Sequence, residues 1–212
     1  MRPDITVVDY GMGNVGSVLR ALAESGAAAE LSGDPGQIAS AVRLILPGVG
    51  AFRDGMEELR RRALVEPLRS FAQSGRPFLG ICLGMQMMLS ASEEFGPVSG
   101  LGFIEGTVRA IPNQGANGKP HKVPHVGWNR LIPRNGSAGA LLDTIGPDSA
   151  GYFVHSYAAV PDSPDHIVAD CDYDGCRIAA IIRSGALYGC QFHPEKSGPV
   201  GLRILRNFLS LG

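Results

Sequence analysis

The sequence predicts an α/β fold: an open, mostly parallel sheet flanked by helices, with a mixed β extension in the second half. Three observations carry this expectation. Through the first half, short apolar runs alternate with stretches of helical period, the pattern of a parallel sheet covered on both faces. Those runs end in turns loaded with glycine. The second half exchanges helices for short strand candidates parted by Gly, Asn, Pro and Ser, which suggests hairpins or an extension of the sheet.

Ile5 to Val8 is a short apolar run and reads as a buried strand. The turn from Asp9 to Asn14 follows. Val15, Val18, Leu19 and Leu22 then share one helical face, and Gly26 ends that helix. Ala28 to Leu31 and Val42 to Leu46 are the next strands, the latter closed by Pro47-Gly48-Val49-Gly50. A helix is expected from about Met56 to Gln73, broken before Pro67. Phe78 to Ile81 is the fourth strand, with a helix from Leu83 to about Ser92. Later strand candidates are Thr107 to Ile111, Trp128 to Ile132, Tyr152 to Tyr157, Ile167 to Cys171, Ile178 to Ile182 and Tyr188 to Phe192. Pro112 to Gly118 and Arg134 to Gly139 are separators among them. Leu202, Leu205, Phe208 and Leu209 mark a last amphipathic helix.

The 212 residues fit a single domain spanning 1–212, with ample length for one core. Apolar residues make up 44% and charged residues 18%, which excludes a disordered chain. A net charge of −1 gives no reason to expect nucleic acid or an anionic membrane as partner. The apolar runs are too short to span a bilayer, and the N-terminus enters a strand without a signal-type apolar region. The expected compartment is therefore the cytosol. Cys82, Cys171, Cys176 and Cys190 show no Cys-x-x-Cys spacing. They are expected as free thiols with no metal site.

Three strand ends carry chemistry: Pro47 to Gly50, Gly80 to Gly84 and Phe192 to Glu195. Parallel strands put their C-termini on one edge, so these distant turns can face one crevice. Gly80-Ile-Cys82-Leu-Gly84 has the design of a nucleophile elbow, in which glycines allow a sharp turn that lifts the side chain out of the sheet. A helix starting at Leu83 would aim free N–H groups and its dipole at the sulfur and supply an oxyanion donor. A small buried cysteine in a glycine-rich connection is the competing reading. His193 can take the thiol proton, and Glu195, two residues on in extended chain, can hold the imidazole. An exposed His and Glu beside a proline is the competing reading there. The glycines around Val49 let backbone approach a ligand or a peptide rotate; an ordinary turn has the same composition. His155 lies inside a strand candidate and reads as a core or lining histidine.

Gly80 to Gln86 and Phe192-His-Pro-Glu195 resemble the two signatures of class I (triad) glutamine amidotransferases. Five further stretches narrow the resemblance to the glutaminase subunits of imidazole glycerol phosphate synthase. These are Asp9 to Asn14, Pro47 to Phe52, Pro124 to Asn129, Tyr152 to Tyr157 and Gln191 to Ser197. The match runs in family order and at family spacing, without departure at a motif position. It implies a flavodoxin-like sheet.

It also implies a Cys82, His193 and Glu195 triad that attacks the side-chain amide of glutamine through a thioester. The N–H groups of Leu83 and Val49 would hold the oxyanion. Gly48, Gly50, Gln86, Ser156 and Tyr157 would fix the substrate. Reorientation of the Pro47–Gly50 segment is thought to complete the oxyanion hole. No cofactor is implied. The implied partner, in a one-to-one pair, is a separate (β/α)8-barrel cyclase that receives ammonia through a dry channel, met by Asn14, Trp128, Asn129 and Tyr152. Core or sheet packing is the competing reading for the two aromatics. Glutaminases of anthranilate, carbamoyl phosphate or pyridoxal phosphate synthesis share the triad signatures, and an inactive regulatory module is the non-enzymatic alternative.

Overall fold

The computed structural model describes residues 3–134 and 140–212. The chain opens with β1 (Ile5–Val8), α1 (Val15–Glu24), β2 (Ala29–Ser32), α2 (Pro35–Ser40) and β3 (Leu44–Leu46). Next come α3 (Phe52–Arg61), α4 (Val65–Gln73), β4 (Phe78–Ile81) and the short α5 (Leu83–Met87). Strands β5 (Leu89–Ser92), β6 (Val98–Ser99), β7 (Ile104–Ala110), β8 (His125–Arg130) and β9 (Ile132–Pro133) follow. After them lie β10 (Ala150–His155), β11 (Tyr157–Pro161), β12 (Ile167–Tyr173), β13 (Cys176–Ser184), β14 (Leu187–Cys190) and the last helix, α6 (Gly198–Leu209).

Among the described residues these strands form an eight-stranded sheet in the order β2-β1-β3-β4-β14-β13-β12-β9. The pairings from β2 to β14 are parallel. Those from β14 to β9 are antiparallel. A four-stranded sheet, β11-β7-β5-β6, and a ribbon of β8 with β10 complete the mixed β extension. β1, β3, β4 and β14 therefore end on one edge. In the register, Gly80 lies beside Gly189 and Ile81 beside Cys190. The chain leaving β4 at Cys82 thus runs next to the chain leaving β14 toward His193, and Cys82 N–H donates to the Cys190 carbonyl at 2.7 Å.

Alternation along the parallel strands feeds two cores. Val7, Ile45, Leu79 and Ile81 pack with Val18 and Leu22 of α1 and Ile204, Leu205 and Phe208 of α6. Leu44, Leu46 and Phe78 face the other way, onto Phe52, Met56 and Leu59 of α3 and Leu68 and Phe71 of α4. At the start of α1, Asn14 accepts a capping bond from Ser17 N–H at 3.4 Å.

Several boundaries depart from the sequence reading. The Leu83–Ser92 helix stops at Met87, and Leu89–Ser92 is a strand. Its partners lie elsewhere: β5 pairs with β7, and Leu101 N–H donates to the Met87 carbonyl at 2.8 Å. Tyr152–Tyr157 is not one strand. It breaks at Ser156, with β10 in the ribbon and β11 in the four-stranded sheet. The expected helix over 56–73 is two helices, broken around Ala63 at φ 55°. Pro67 sits in the first turn of α4, where a missing N–H is harmless. Helix α2 was not anticipated, although Asp34 accepts from Gln37 N–H at 2.8 Å with Pro35 at the first position. It buries one residue, Ile38, too little to show a period. The separator at Arg134–Gly139 lies, from 135 on, outside the described residues. No described helix is long and apolar enough to cross a membrane.

Candidate active site

The turn after β4 is strained. Cys82 has φ 53° and ψ −109°, a left-handed conformation that residues with a side chain rarely adopt. Such a backbone costs on the order of 1–3 kcal/mol and holds only where the surroundings determine it. Here they do so through missing side chains. A Cβ on Gly84 would lie 1.8 Å from the Leu46 carbonyl oxygen. One on Gly48 would meet Tyr10 Oη at 2.5 Å and Leu83 Cβ at 2.9 Å. The turns after β3 and β4 are therefore packed backbone to backbone. Because α5 has only 5 residues, its dipole is that of little more than one turn. The immediate N–H groups matter more than the helix as a whole.

Cys82 is buried except for its face on a cavity of about 410 Å³. Gln191 Nε2 donates toward its sulfur at 3.8 Å, and the Val154 carbonyl lies 4.0 Å away. His193 lines the same cavity. Its Nδ1 meets Glu195 Oε1 at 2.7 Å, with both side chains nearly inaccessible. That bond places a proton on Nδ1, and Nε2 has no hydrogen-bond partner, so Nε2 is the nitrogen free to take and give a proton. Burial works against the imidazolium, but interaction with Cys82 and the bond to Glu195 outweigh it and push the His193 pKa up to about 9.

Leu83 N–H is not free. It faces the Gly48 carbonyl oxygen at 3.4 Å. A trans peptide points its oxygen and its N–H in opposite directions, so the Val49 N–H is turned away from the Leu83 donor. Tyr10 Oη donates to the Pro47 carbonyl at 2.9 Å and pins the start of this segment. Val49 and Gly50 line the cavity, whereas Gly48 is buried behind them.

Residues 6–211 match the family described as glutamine amidotransferase class-I. The chain belongs to that family. It is 50% identical over 210 residues to an imidazole glycerol phosphate synthase subunit HisH 1 of Legionella pneumophila strain Lens, covering 98% of this chain and 99% of the relative. A subunit HisH of Geobacillus kaustophilus is 45% identical over 207 residues, covering 98% and 96%. Among solved structures, PurLQS from Thermotoga maritima superimposes with a TM-score of 0.68 at 21% identity, covering 99% of this chain and 98% of that one; this is likeness of fold.

Other walls of the amidotransferase cavity come from Gln86, Glu94, Ser156 and Tyr157. Gln86 Nε2 donates to the Tyr157 carbonyl at 2.9 Å and to Gln191 Oε1 at 3.0 Å. Glu94 was missed by the sequence reading. It follows a strand whose helical period hides it in the sequence, and nothing local separates it from Glu93. Its Oε2 accepts from Phe52 N–H at 2.6 Å at the start of α3, which fixes a carboxylate in the cavity wall. Among the described residues no group of His, Cys, Asp and Glu could hold a metal ion.

The amidotransferase ribbon separates two faces by parity. Trp128 pairs with Tyr152 and Val126 with Val154. Trp128 is 58% and Val126 53% exposed, with the Trp128 and Tyr152 rings edge to face at 5.9 Å. The alternate residues, His125, Phe153 and His155, are buried. Asn14 is exposed at the start of α1, and Asn129 is half-buried with its side chain on His125.

Proposed function

We propose that this chain is the glutaminase subunit of an imidazole glycerol phosphate synthase: one glutaminase domain over residues 1–212 that hydrolyses glutamine and passes ammonia to a separate barrel-shaped cyclase. The reading rests above all on the pairing of His193 with Glu195 at 2.7 Å on the cavity that also exposes Cys82. The naming of its 45–50% identical relatives as HisH subunits supports the choice of synthase.

In this reading the Cys82 proton resides on His193 Nε2, as the raised pKa of that imidazole favours, and the thiolate attacks the side-chain carbonyl carbon of glutamine. The oxyanion is met by Leu83 N–H, and by Val49 N–H once the 48–49 peptide turns. The imidazolium returns its proton to the leaving nitrogen, which departs as ammonia and leaves a glutamyl thioester. Water, deprotonated by His193 Nε2, attacks the thioester; the C–S bond breaks, glutamate leaves, and the proton and sulfur restore the starting Cys82–His193 pair. Glu195 holds the imidazole in the required tautomer throughout. Glu94 offers the α-ammonium of glutamine a carboxylate partner. Bulk water would protonate ammonia, so its path to the cyclase must be closed. The outer ribbon face and Asn14 are the proposed docking surface, where the barrel completes that enclosure. The cyclase then uses the ammonia to form imidazole glycerol phosphate and an aminoimidazole carboxamide ribonucleotide, a step of histidine biosynthesis. A reducing cytoplasm suits the four free thiols.

The test is a coupled assay with the cyclase. Cys82→Ala should abolish glutamine-dependent synthesis and leave ammonia-dependent synthesis intact. Loss of both would make Cys82 structural and sink the mechanism. Alkylation of Cys82 by a diazo-ketone analogue of glutamine, read by mass spectrometry, separates an active glutaminase from an inactive module.

A further inference from the structure

A row of buried hydrogen bonds joins the ribbon to the nucleophile, and neutral side chains cannot supply all its protons. At one end, the Tyr157 carbonyl oxygen faces His155 Nδ1 at 2.8 Å. His155 Nε2 faces His125 Nδ1 at 2.9 Å. His125 Nε2 faces Asn129 Oδ1 at 2.8 Å. Asn129 is oriented by its Nδ2, which donates to the Asp172 carbonyl at 2.8 Å. Both ends of the row are therefore acceptors. Three contacts lie between them, and two neutral imidazoles bring two N–H protons. Turning the Asn129 amide over would satisfy His125 but set Oδ1 against the Asp172 carbonyl oxygen, so the deficit moves without disappearing.

A third proton is opposed by the surroundings. Burial holds His155 down to about 4, with the nearby His125 and His193 adding repulsion against its Tyr157 bond. Burial also lowers His125, and His121 acts in the same sense, while Asn129 and Asp174 act against it. Phe153 and Tyr173 stack on the His125 ring at 5.0 and 4.0 Å. Near neutral pH one of the three contacts is thus left without a proton.

The row does not stop at Tyr157. The same carbonyl accepts from Gln86 Nε2, Gln86 holds Gln191, and Gln191 Nε2 points at the Cys82 sulfur. All four polar side chains beyond Asn129 are buried: His125 0%, His155 6%, Gln86 5% and Gln191 0% exposed.

We propose that this proton-deficient row is the element through which the ribbon face sets the glutamine pocket, with His125 and His155 as positioning residues. With the gap at Asn129, His125 donates to His155 and His155 to Tyr157, so the carbonyl that anchors Gln86 is held by two donors. With the gap at Tyr157, that carbonyl keeps only Gln86, and the Gln86–Gln191 pair beside Cys82 loosens. A partner that engages the Asn129 amide decides where the gap lies. This rests on the reading above, in which the outer ribbon face meets the cyclase.

The experiment uses the full chain carrying 15N-labelled histidine, alone and with the cyclase. At pH 7.5 the His155 proton should sit on Nδ1 with the cyclase bound and on Nε2 in the isolated chain, with the His125 nitrogen shifts moving to match. A His155 proton on the same nitrogen in both states, or unmoved His125 signals, overturns the proposal. Asn129→Asp gives His125 Nε2 an anionic acceptor and favours the third proton, while giving up the bond to the Asp172 carbonyl. In the isolated chain it should raise His125 titration and speed Cys82 alkylation by the glutamine analogue about tenfold, a usual size for coupling between sites. An unchanged alkylation rate overturns the proposal. His125→Phe keeps the stacked ring and removes its protons; it should lose cyclase stimulation, and full stimulation counts against the row. Should either variant fail to fold, the wild-type nitrogen shifts decide. Wild-type chain that is alkylated neither alone nor with the cyclase sinks the glutaminase reading itself, and the row with it.

Discussion

The N–H of Leu83 and the carbonyl oxygen of Gly48 face each other at 3.4 Å, so the donor nearest the nucleophile is engaged by the very peptide proposed to supply the second donor. Turning that peptide releases one N–H and delivers another. The isolated chain should therefore hydrolyse glutamine slowly, and cyclase with its nucleotide should raise kcat. Constitutive full activity would contradict this. Gly50, at φ 98° with Met12 Cε 3.1 Å from where a Cβ would stand, has little tolerance for a side chain. Gly50→Ala should lower stability by about 1 kcal/mol and blunt the stimulation. Thermal melts and paired kinetics with and without the cyclase check it.

Glu195 acts only through His193 in the proposed mechanism. Glu195→Gln keeps the size but substitutes a neutral amide for the carboxylate on Nδ1. The expected loss is on the order of 100-fold or more in kcat with little change in KM for glutamine. The His193 pKa should fall at the same time, visible by NMR titration. A variant with normal kcat would remove Glu195 from the mechanism.

Glu94 is expected to hold substrate, not to react. Glu94→Gln retains an acceptor for Phe52 N–H and loses the charge. It should raise KM for glutamine by about 10- to 100-fold, the worth of one charge-assisted hydrogen bond, with kcat nearly unchanged. An unchanged KM would reduce Glu94 to a helix cap.

Two buried histidines predict opposite limbs of a stability curve. His155 binds its proton less readily folded than unfolded. Its contribution is whole above pH 6.5 and is lost as pH falls toward 4, amounting to about 3 kcal/mol. His193 is raised instead, so its contribution is whole below pH 6.5 and is lost as pH rises through 9, by a similar amount of about 3 kcal/mol. Urea denaturation from pH 4.5 to 9.5 should show a maximum near 6.5. His193→Asn should flatten the alkaline limb alone, and a symmetric response would refute the assignment.

What was legible in the sequence was what sits at strand ends. Cys82, His193 and the Pro47–Gly50 turn announce themselves because a parallel sheet gathers such turns on one edge, whatever their separation in the chain. The less legible parts depend on pairing between distant residues. Leu89 to Ser92 continues a helical period, and its pairing with β6 and β7 makes it a strand. Tyr152 to Tyr157 reads as one strand because nothing local marks Ser156 as the point where the chain changes sheets. The same pairing hides Glu94, and it hides the contact of His155 with His125 on the neighbouring strand.

The strand parity of the ribbon has a consequence for redesign. Val126, Trp128, Tyr152 and Val154 alternate with the residues that pack inward. The first three side chains can be exchanged as a set, as one re-cuts a key's bitting while keeping its shaft. A library confined to Val126, Trp128 and Tyr152 would vary the proposed docking face without touching the cavity lining, to which Val154 belongs, and in the proposed row the inward histidines would decide which of the new partners are also heard by the thiol.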